Sequence, residues 1–424
     1  MVPHTQVDGL SMKVCFIAFH DFKLFPRAFN EIETLVDNGF TVEVVGFDKS
    51  RKLPMKEKIG KVRLFRARPK FWIDAGLLNV LDFFPAFSAL FSAALKSGAK
   101  TYHCYDLISL LAGCLVKLFH PSDKKLIYDA YENWPELISN SPNFIRVCKL
   151  VENVTMLIEI LLVRLADFVL TIDSVDNELL ERFRMFNGNV EVLLNVPRLD
   201  LFKDGKIQEE FARKYEDHDV VVSVGAIAKH MGILKAVISI KKVKEKIPNV
   251  KLLIAGGSGY SYEKKEDKDE ILGYIKKHKL ESYVEFVGPV PYSRILNFLH
   301  VAKVCLMLYQ PTRWLLKYSK SSSKLFLYML SSKPIVASKM PIAQIAEDEQ
   351  CGILVDPTNP QEIANAIIYL LENPVKAKLM GERGKKAVLM KYNWNIYSER
   401  LLGVYERMRT NIKEKPSARC DLSH

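Results

Sequence analysis

Three groups of residues in this chain combine types and spacing that suit chemistry. The first is His103 and Asp106, in Tyr102-His103-Cys104-Tyr105-Asp106, together with Asp129 and Glu132, in Tyr128-Asp129-Ala130-Tyr131-Glu132. Each set closes a short apolar run. Carboxylates and a His at converging strand ends suit general acid–base work or the binding of sugar hydroxyls. The plainer reading of a lone Asp in such a place is loop capping.

The second group is glycine-rich. Gly225-Ala226-Ile227-Ala228-Lys229-His230-Met231-Gly232 and Gly256-Gly257-Ser258-Gly259 each follow an apolar run. Glycine lets the backbone approach a ligand closely, and a helix N-terminus attracts an anion. Lys229 and His230 add charge. Taken alone, the first reads as an ordinary strand–helix turn. The second reads equally as a phosphate cradle or a flexible turn, and it does not match GxGxxG.

The third group is Ser319-Lys320-Ser321-Ser322-Ser323-Lys324, ahead of the helical run Leu325–Leu330. A Ser-rich N-cap leaves backbone N–H groups pointing outward, and Lys320 and Lys324 flank them. This is the strongest anion-site candidate in the chain, balanced by simple capping with surface lysines. Asp267-Lys268-Asp269 has the form of a metal-binding DxD. It lies within the charged stretch Tyr262–Lys279, where a solvated helix face explains it, and no metal is assigned.

The elements that must position these residues repeat one plan twice. Met12–Ala18, Thr41–Phe47, Thr101–Tyr105, Lys125–Asp129 and Phe168–Ile172 are short apolar runs, with helical patterns between them such as Ala28–Asn38 before Gly39. Val220–Val224, Val250–Ala255, Tyr283–Phe286, Lys303–Leu308 and Pro334–Ala337 repeat the series, with a helix predicted over Ile233–Lys246. Strands alternating with helices predict α/β domains with parallel sheets. Ligands of such sheets bind at the carboxyl ends of the strands. Asn195–Lys206 reads as a linker. The expected domains are residues 11–197 and 206–390, then a C-terminal helix over 391–410 and a frayed tail over 411–424.

Composition narrows the class. The 424 residues are 49% hydrophobic and 26% charged, which excludes a disordered, collagen-like or coiled-coil chain. Seven scattered cysteines with no CxxC argue against a disulfide scaffold or structural zinc, and point to a reducing compartment. No secretory signal opens the chain, so a cytoplasmic protein is expected. The net charge of +12 favours anionic partners. No basic–aromatic platform or helix-turn-helix pattern accompanies it, so nucleic acid is not expected. Ala75–Leu95, interrupted by Asp82 and Pro85, reads as two short helices rather than a membrane span. It and Phe144–Leu165 are apolar enough for either a core or a membrane surface.

With these motifs in order, the chain resembles the retaining family-4 glycosyltransferases, of GT-B fold, over nearly its whole length. His103-Cys-Tyr-Asp106-Leu107 is similar to the family's His-x-His-Asp-Leu strand end, and Tyr128-Asp-Ala-Tyr-Glu132 to its Tyr-Asp-Ser-His-Glu. Asn195-Val-Pro197 matches the interdomain Asn, and Gly225…Gly232 the first donor-domain loop. Ser322-Ser-Lys-Leu-Phe-Leu-Tyr-Met329 and Lys333-Pro-Ile-Val-Ala-Ser338 resemble Asn-Lys-Leu-Phe-Glu-Tyr-Met…Lys-Pro-Val-Val-Ala-Ser. Gly352–Pro357 matches the following strand, and Tyr392-Asn-Trp394 through Tyr405 a helix that crosses back onto the first domain.

The resemblance implies two Rossmann-like domains facing a cleft. It implies sugar transfer with retention from a nucleotide-sugar, without metal or other cofactor, to a glycan or lipid-linked acceptor. His103, Asp106 and Glu132 would then be the catalytic residues, with His103 and Asp106 facing the acceptor or the transferred sugar. Gly225, Lys229, Gly256, Gly257, Ser322, Ser323 and Lys324 would hold the donor. Peripheral contact with an anionic membrane, at its cytoplasmic face, fits such an acceptor.

Several family positions are replaced. Ala226 and Met231 stand where the glycine loop supplies basic residues, and Leu327 where a Glu binds the donor ribose. Ser319 takes the first Glu of EX7E, Tyr131 and Tyr105 the place of histidines. Losing one leaving-group donor costs about 3 kcal/mol by analogy with an oxyanion hole. The alternative reading is therefore a non-catalytic GT-B scaffold, partner to an active transferase.

Overall fold

The computed structural model describes residues 12–21, 26–48, 53–67, 80–120, 124–139, 148–172, 178–200, 208–257, 265–290, 292–312, 315–316 and 322–410. Of the motif residues, Ser258, Gly259 and Ser319–Ser321, with Lys320, lie outside them. So do residues 75–79 and 144–147 of the two apolar stretches, residues 201–206 of the linker, and the tail from residue 411.

The chain divides into two units, residues 1–193 with 397–424, and residues 194–396. In the first, eight strands form one sheet. They are β1 (Lys13–Asp21), β2 (Thr41–Phe47), β3 (Lys56–Ile59), β4 (Val62–Ala67), β5 (Thr101–Cys104), β6 (Lys125–Ala130), β7 (Phe168–Thr171) and β8 (Val190–Val192). Their order is β3-β4-β2-β1-β5-β6-β7-β8, parallel except for the β3–β4 pair. The inner strands are buried on both faces, the mark of a sheet covered on both sides, although Glu43, His103 and Asp129 lie within them. β5 and β7 are buried at every position.

The second unit holds β9 (Asp219–Val224), β10 (Val250–Ala255), β11 (Val284–Gly288), β12 (Val304–Met307), β13 (Ile335–Ser338) and β14 (Gly352–Val355). The order is β11-β10-β9-β12-β13-β14, parallel throughout. This is the doubly wound order, whose direction reverses between β9 and β12. The helices Ile233–Val243 and Pro360–Glu372 cover it, burying Ile233, Val237, Ile240, Ile363 and Ile367.

Two local departures from the sequence-based expectation have physical reasons. β3 and β4 form an antiparallel hairpin that alternation of strand and helix did not predict. β3 reads Lys-Glu-Lys-Ile and is largely exposed, which is how an edge strand avoids unwanted pairing. Second, Val80–Ser97 is one helix with Pro85 inside it, not two short ones. Proline removes one helical hydrogen bond. Ala86, Leu90 and Ala94, at 0–2% exposure, continue a buried stripe beyond it, and that packing outweighs the lost bond.

The last helix, Trp394–Thr410, joins the first unit from Tyr397 onward. Leu401, Val404 and Tyr405 are buried there.

Candidate functional site

In the second unit, Gly225, Gly256, Gly257 and Ser322–Lys324 gather near the carboxyl ends of β10, β9 and β12, at the reversal point. Tyr328, on the helix Ser323–Leu330, fixes them. Its hydroxyl accepts from Val224 N at 2.9 Å and donates to Leu306 O at 3.2 Å, clamping the ends of β9 and β12. Burial of the ring pushes its hydroxyl pKa well up, so it stays a neutral donor.

Two loops then meet backbone to backbone. Gly225 has φ +128° and Gly256 φ +147°. A Cβ on Gly256 would fall 1.7 Å from Gly225 O, so only glycine fits. A Cβ on Gly225 would meet Lys324 Cε at 3.1 Å and Nζ at 3.2 Å, so the lysine side chain runs directly against this loop. Gly257, φ +84°, faces Ile227.

Lys324 is the chemical centre of the group. Its stem is buried, and its Nζ stands 5.0 Å over the Tyr309 ring. It belongs to the first turn of a helix whose N-cap, Ser322, makes no side-chain cap bond. Ser322 Oγ lies 3.4 Å from Tyr309 Oη instead. The first N–H groups of Ser323–Leu330 are therefore not taken by the cap side chain, and they point where an anion binds. Lys229 is exposed, and its backbone N–H donates to Asp267 Oδ2 at 2.7 Å. Burial lowers the His230 pKa; Asp267 raises it and the Lys324 charge lowers it. Leu327 is buried.

In the first unit the candidates separate. Asp106 caps the helix Leu107–Phe119: its Oδ1 accepts from Ser109 N at 2.7 Å and its Oδ2 from Phe19 N at 2.6 Å. His103 is 0% exposed, with Nδ1 2.9 Å from Tyr405 Oη. Neither side chain is open to a substrate: Asp106 is a cap, and His103 joins the last helix to β5. Glu132 follows β6 and is partly exposed.

Around His103 lies a buried network that sequence reasoning missed. Arg27 Nη2 is 2.6 Å from Asp129 Oδ1 and its Nε 2.9 Å from Glu31 Oε1. Arg27 Nη1 donates to Leu193 O at 2.7 Å, and Tyr105 Oη to Glu31 Oε2 at 2.6 Å. Burial opposes the Asp129 charge, yet the adjacent guanidinium and His103 hold its carboxyl below the ordinary range. Burial, with the Asp129 charge, pushes Glu31 well above it. Burial also lowers His103. The Arg27 guanidinium thus favours the Asp129 charge, while burial pushes the Glu31 carboxyl toward its protonated form and the His103 ring toward its neutral one. Glu31, His103 and Asp129 have donor atoms within 4.8 Å of one another, the grouping of a metal site. Here the Arg27 guanidinium supplies the positive charge between the carboxylates. The one sequence signal was the i, i+4 spacing of Arg27 and Glu31 on the helix Pro26–Asp37.

Residues 205–387 match the family described as glycosyl transferases group 1. An uncharacterized glycosyltransferase of Methanocaldococcus jannaschii is 28% identical over 258 residues, 58% of this chain and 60% of that relative. The chain thus spans less than two thirds of this curated relative's length. Among solved structures, sucrose-phosphate synthase from Thermosynechococcus elongatus superposes with a TM-score of 0.73 at 18% identity, covering 95% of this chain and 100% of that one. Anabaena HepE in complex with UDP-glucose gives 0.66 at 16% identity, covering 93% and 99%. The fold is therefore of the GT-B class, with two Rossmann-like units.

Proposed function

We propose that this protein is a glycosyltransferase. It takes a nucleoside-diphosphate sugar at the second unit and passes the sugar, with retention, to a glycan or lipid-linked acceptor. The single observation behind this reading is the buried Lys324 stem, at an uncapped helix start against the Gly225 and Gly256 loops. A nucleotide-sugar leaves as a diphosphate, and negative charge grows on it as the sugar–oxygen bond breaks. Lys324 Nζ and the first N–H groups of Ser323–Leu330 stabilise that charge. Gly225, Gly256 and Gly257 allow the nucleotide to lie against the backbone, and Lys229 adds a cation at the rim. No metal enters this scheme, because Lys324 and the helix start meet the diphosphate. Glu132 is the acceptor-side group with exposure, while His103 and Asp106 act by position. We assign the work to the cytosol, in keeping with the buried free thiols of Cys15, Cys104, Cys114, Cys305 and Cys351.

Thermal shift against nucleoside diphosphates and nucleotide-sugars tests the assignment. A ligand that binds only the folded state raises Tm by mass action. Wild type is expected to shift with one nucleotide series, and Lys324→Ala to bind at least about tenfold more weakly, the loss of one charged contact. An equal shift in both proteins removes Lys324 from the site. No shift with any nucleotide in the folded wild type favours the non-catalytic scaffold.

A further inference from the structure

The helix Cys148–Val163 is built with part of its polarity reversed. A helix on a water-soluble protein turns its apolar stripe inward. This one turns Glu159 inward, at 0% exposure, where it accepts from Tyr128 Oη at 2.6 Å and Arg182 Nη2 at 2.9 Å. Outward it presents Leu150 at 64%, Val154 at 48%, Leu157 at 58%, Ile158 at 41% and Leu161 at 52%, with Leu165 just beyond at 37%. These positions follow i, i+4, i+7, i+8, i+11 and i+15, a single continuous face.

The face extends past the helix. Lys117 Nζ donates to Leu165 O at 2.8 Å, bringing the end of Leu107–Phe119 against it. Leu118 and Phe119, 60% and 68% exposed, prolong the apolar surface there. Exposed apolar patches of this kind mark interaction sites.

Charge selects the occupant. The other exposed residues over 148–165 are Lys149, Asn153 and Arg164. The stripe thus has a cation at each end; the acid between them, Glu152, is largely covered and lies 3.9 Å from Lys149, and the chain carries a net charge of +12. A second copy docking face to face would set like charges against each other. An anionic bilayer offers hydrocarbon to the leucines and phosphate to Lys149 and Arg164. Among the described residues no helix is long and apolar enough to cross a membrane, so this helix lies along the surface.

We propose that Leu150, Val154, Leu157, Ile158, Leu161 and Leu165 form a docking face for an anionic lipid surface, with Lys149 and Arg164 on its headgroups. The inference is independent of the donor site, which lies in the other unit.

Co-sedimentation of the full chain tests it, using phosphatidylcholine vesicles with and without phosphatidylglycerol. Wild type is expected to pellet with the anionic vesicles. The double variant Leu157→Glu/Leu161→Glu is expected to lose at least about tenfold in partitioning, from lost apolar contact and added repulsion. Both positions are exposed, so the variant folds, which an unchanged Tm and nucleotide-induced shift verify. Partitioning that survives the double variant overturns the proposal, as does a wild type that ignores anionic vesicles. A wild-type dimer that the same substitutions dissociate, without vesicle binding, assigns the face to a second copy and also overturns it.

Discussion

Glu31 and Asp129 are both carboxylic acids beside one arginine, yet their pKa values are pushed in opposite directions. Asp129 receives two bonds from Arg27, to its Oδ2 at 3.0 Å and its Oδ1 at 2.6 Å, and keeps its charge. Glu31, equally buried, is pushed well above the ordinary carboxylate range by burial and by the Asp129 charge. This has a measurable consequence. The unfolded Glu31 loses its proton near pH ~4.3, whereas the native one holds it to much higher pH. Above pH ~4.3 the native state therefore binds more protons than the unfolded state, and this group's contribution to stability falls as pH rises. Glu31→Gln removes that dependence while keeping an N–H for Asp129 and an oxygen for Tyr105. The Tm of the variant relative to wild type is expected to climb as pH rises above ~4.3. His103 has the opposite sense: its lowered pKa costs stability as pH falls below ~6.5. A flat difference would mean Glu31 is ionised in the native state. At this scale the sequence was half legible. Asp106 and Asp129 stand out as strand-end carboxylates, and capping was the plainer reading for such an Asp, fulfilled at Asp106 by Ser109 three positions on. That Asp129 binds Arg27 was not legible, because that partner is 102 positions away.

Loops at the switch point work through backbone contact, and that is why their substitutions are predictable. Gly256→Ala places a methyl 1.7 Å from Gly225 O at φ +147°. The expected loss is on the order of 3 kcal/mol, from a backbone conformation that alanine avoids and a contact that must open. Nucleotide binding is expected to fall with it, because the Gly225 loop moves off Lys324. Gly273→Ala is the matched control. It lies within Lys265–Lys277, with nothing within 4 Å of the added methyl, and is expected to stabilise by about 0.5–1 kcal/mol. Chemical denaturation of the pair checks both signs; equal effects would deny the close packing of the two loops. Strand-and-helix alternation made most elements visible in advance, since buried parallel strands read as unbroken apolar runs. What it concealed was set by packing: the charged edge strand β3, and a helix carried through Pro85 by Ala86, Leu90 and Ala94.

The chain enters its first unit twice, at residues 1–193 and again from Tyr397, and the second entry closes the buried network. Tyr405 is 0% exposed, meets His103 Nδ1 at 2.9 Å and packs its ring edge-on to Phe40 at 5.4 Å. Arg407 adds an ion pair to Glu191 at 3.2 Å. The doubled plan of the molecule was readable from the two series of apolar runs. The network was not, because residues 27, 31, 103, 129 and 405 share no local pattern. Tyr405→Phe keeps the ring and leaves His103 Nδ1 without its hydroxyl. A buried polar atom stripped of its partner costs roughly 1–3 kcal/mol. That loss belongs to the first unit, so amide exchange is expected to quicken in β5 and in Tyr397–Thr410 while β9, β10 and β12 keep their protection. Nucleotide binding, which we propose for the second unit, is expected to stay within about twofold, since Tyr405 touches none of the residues proposed to hold the donor. An equal rise in β9 and β12 would show that the loss is not confined to the first unit and would overturn this expectation.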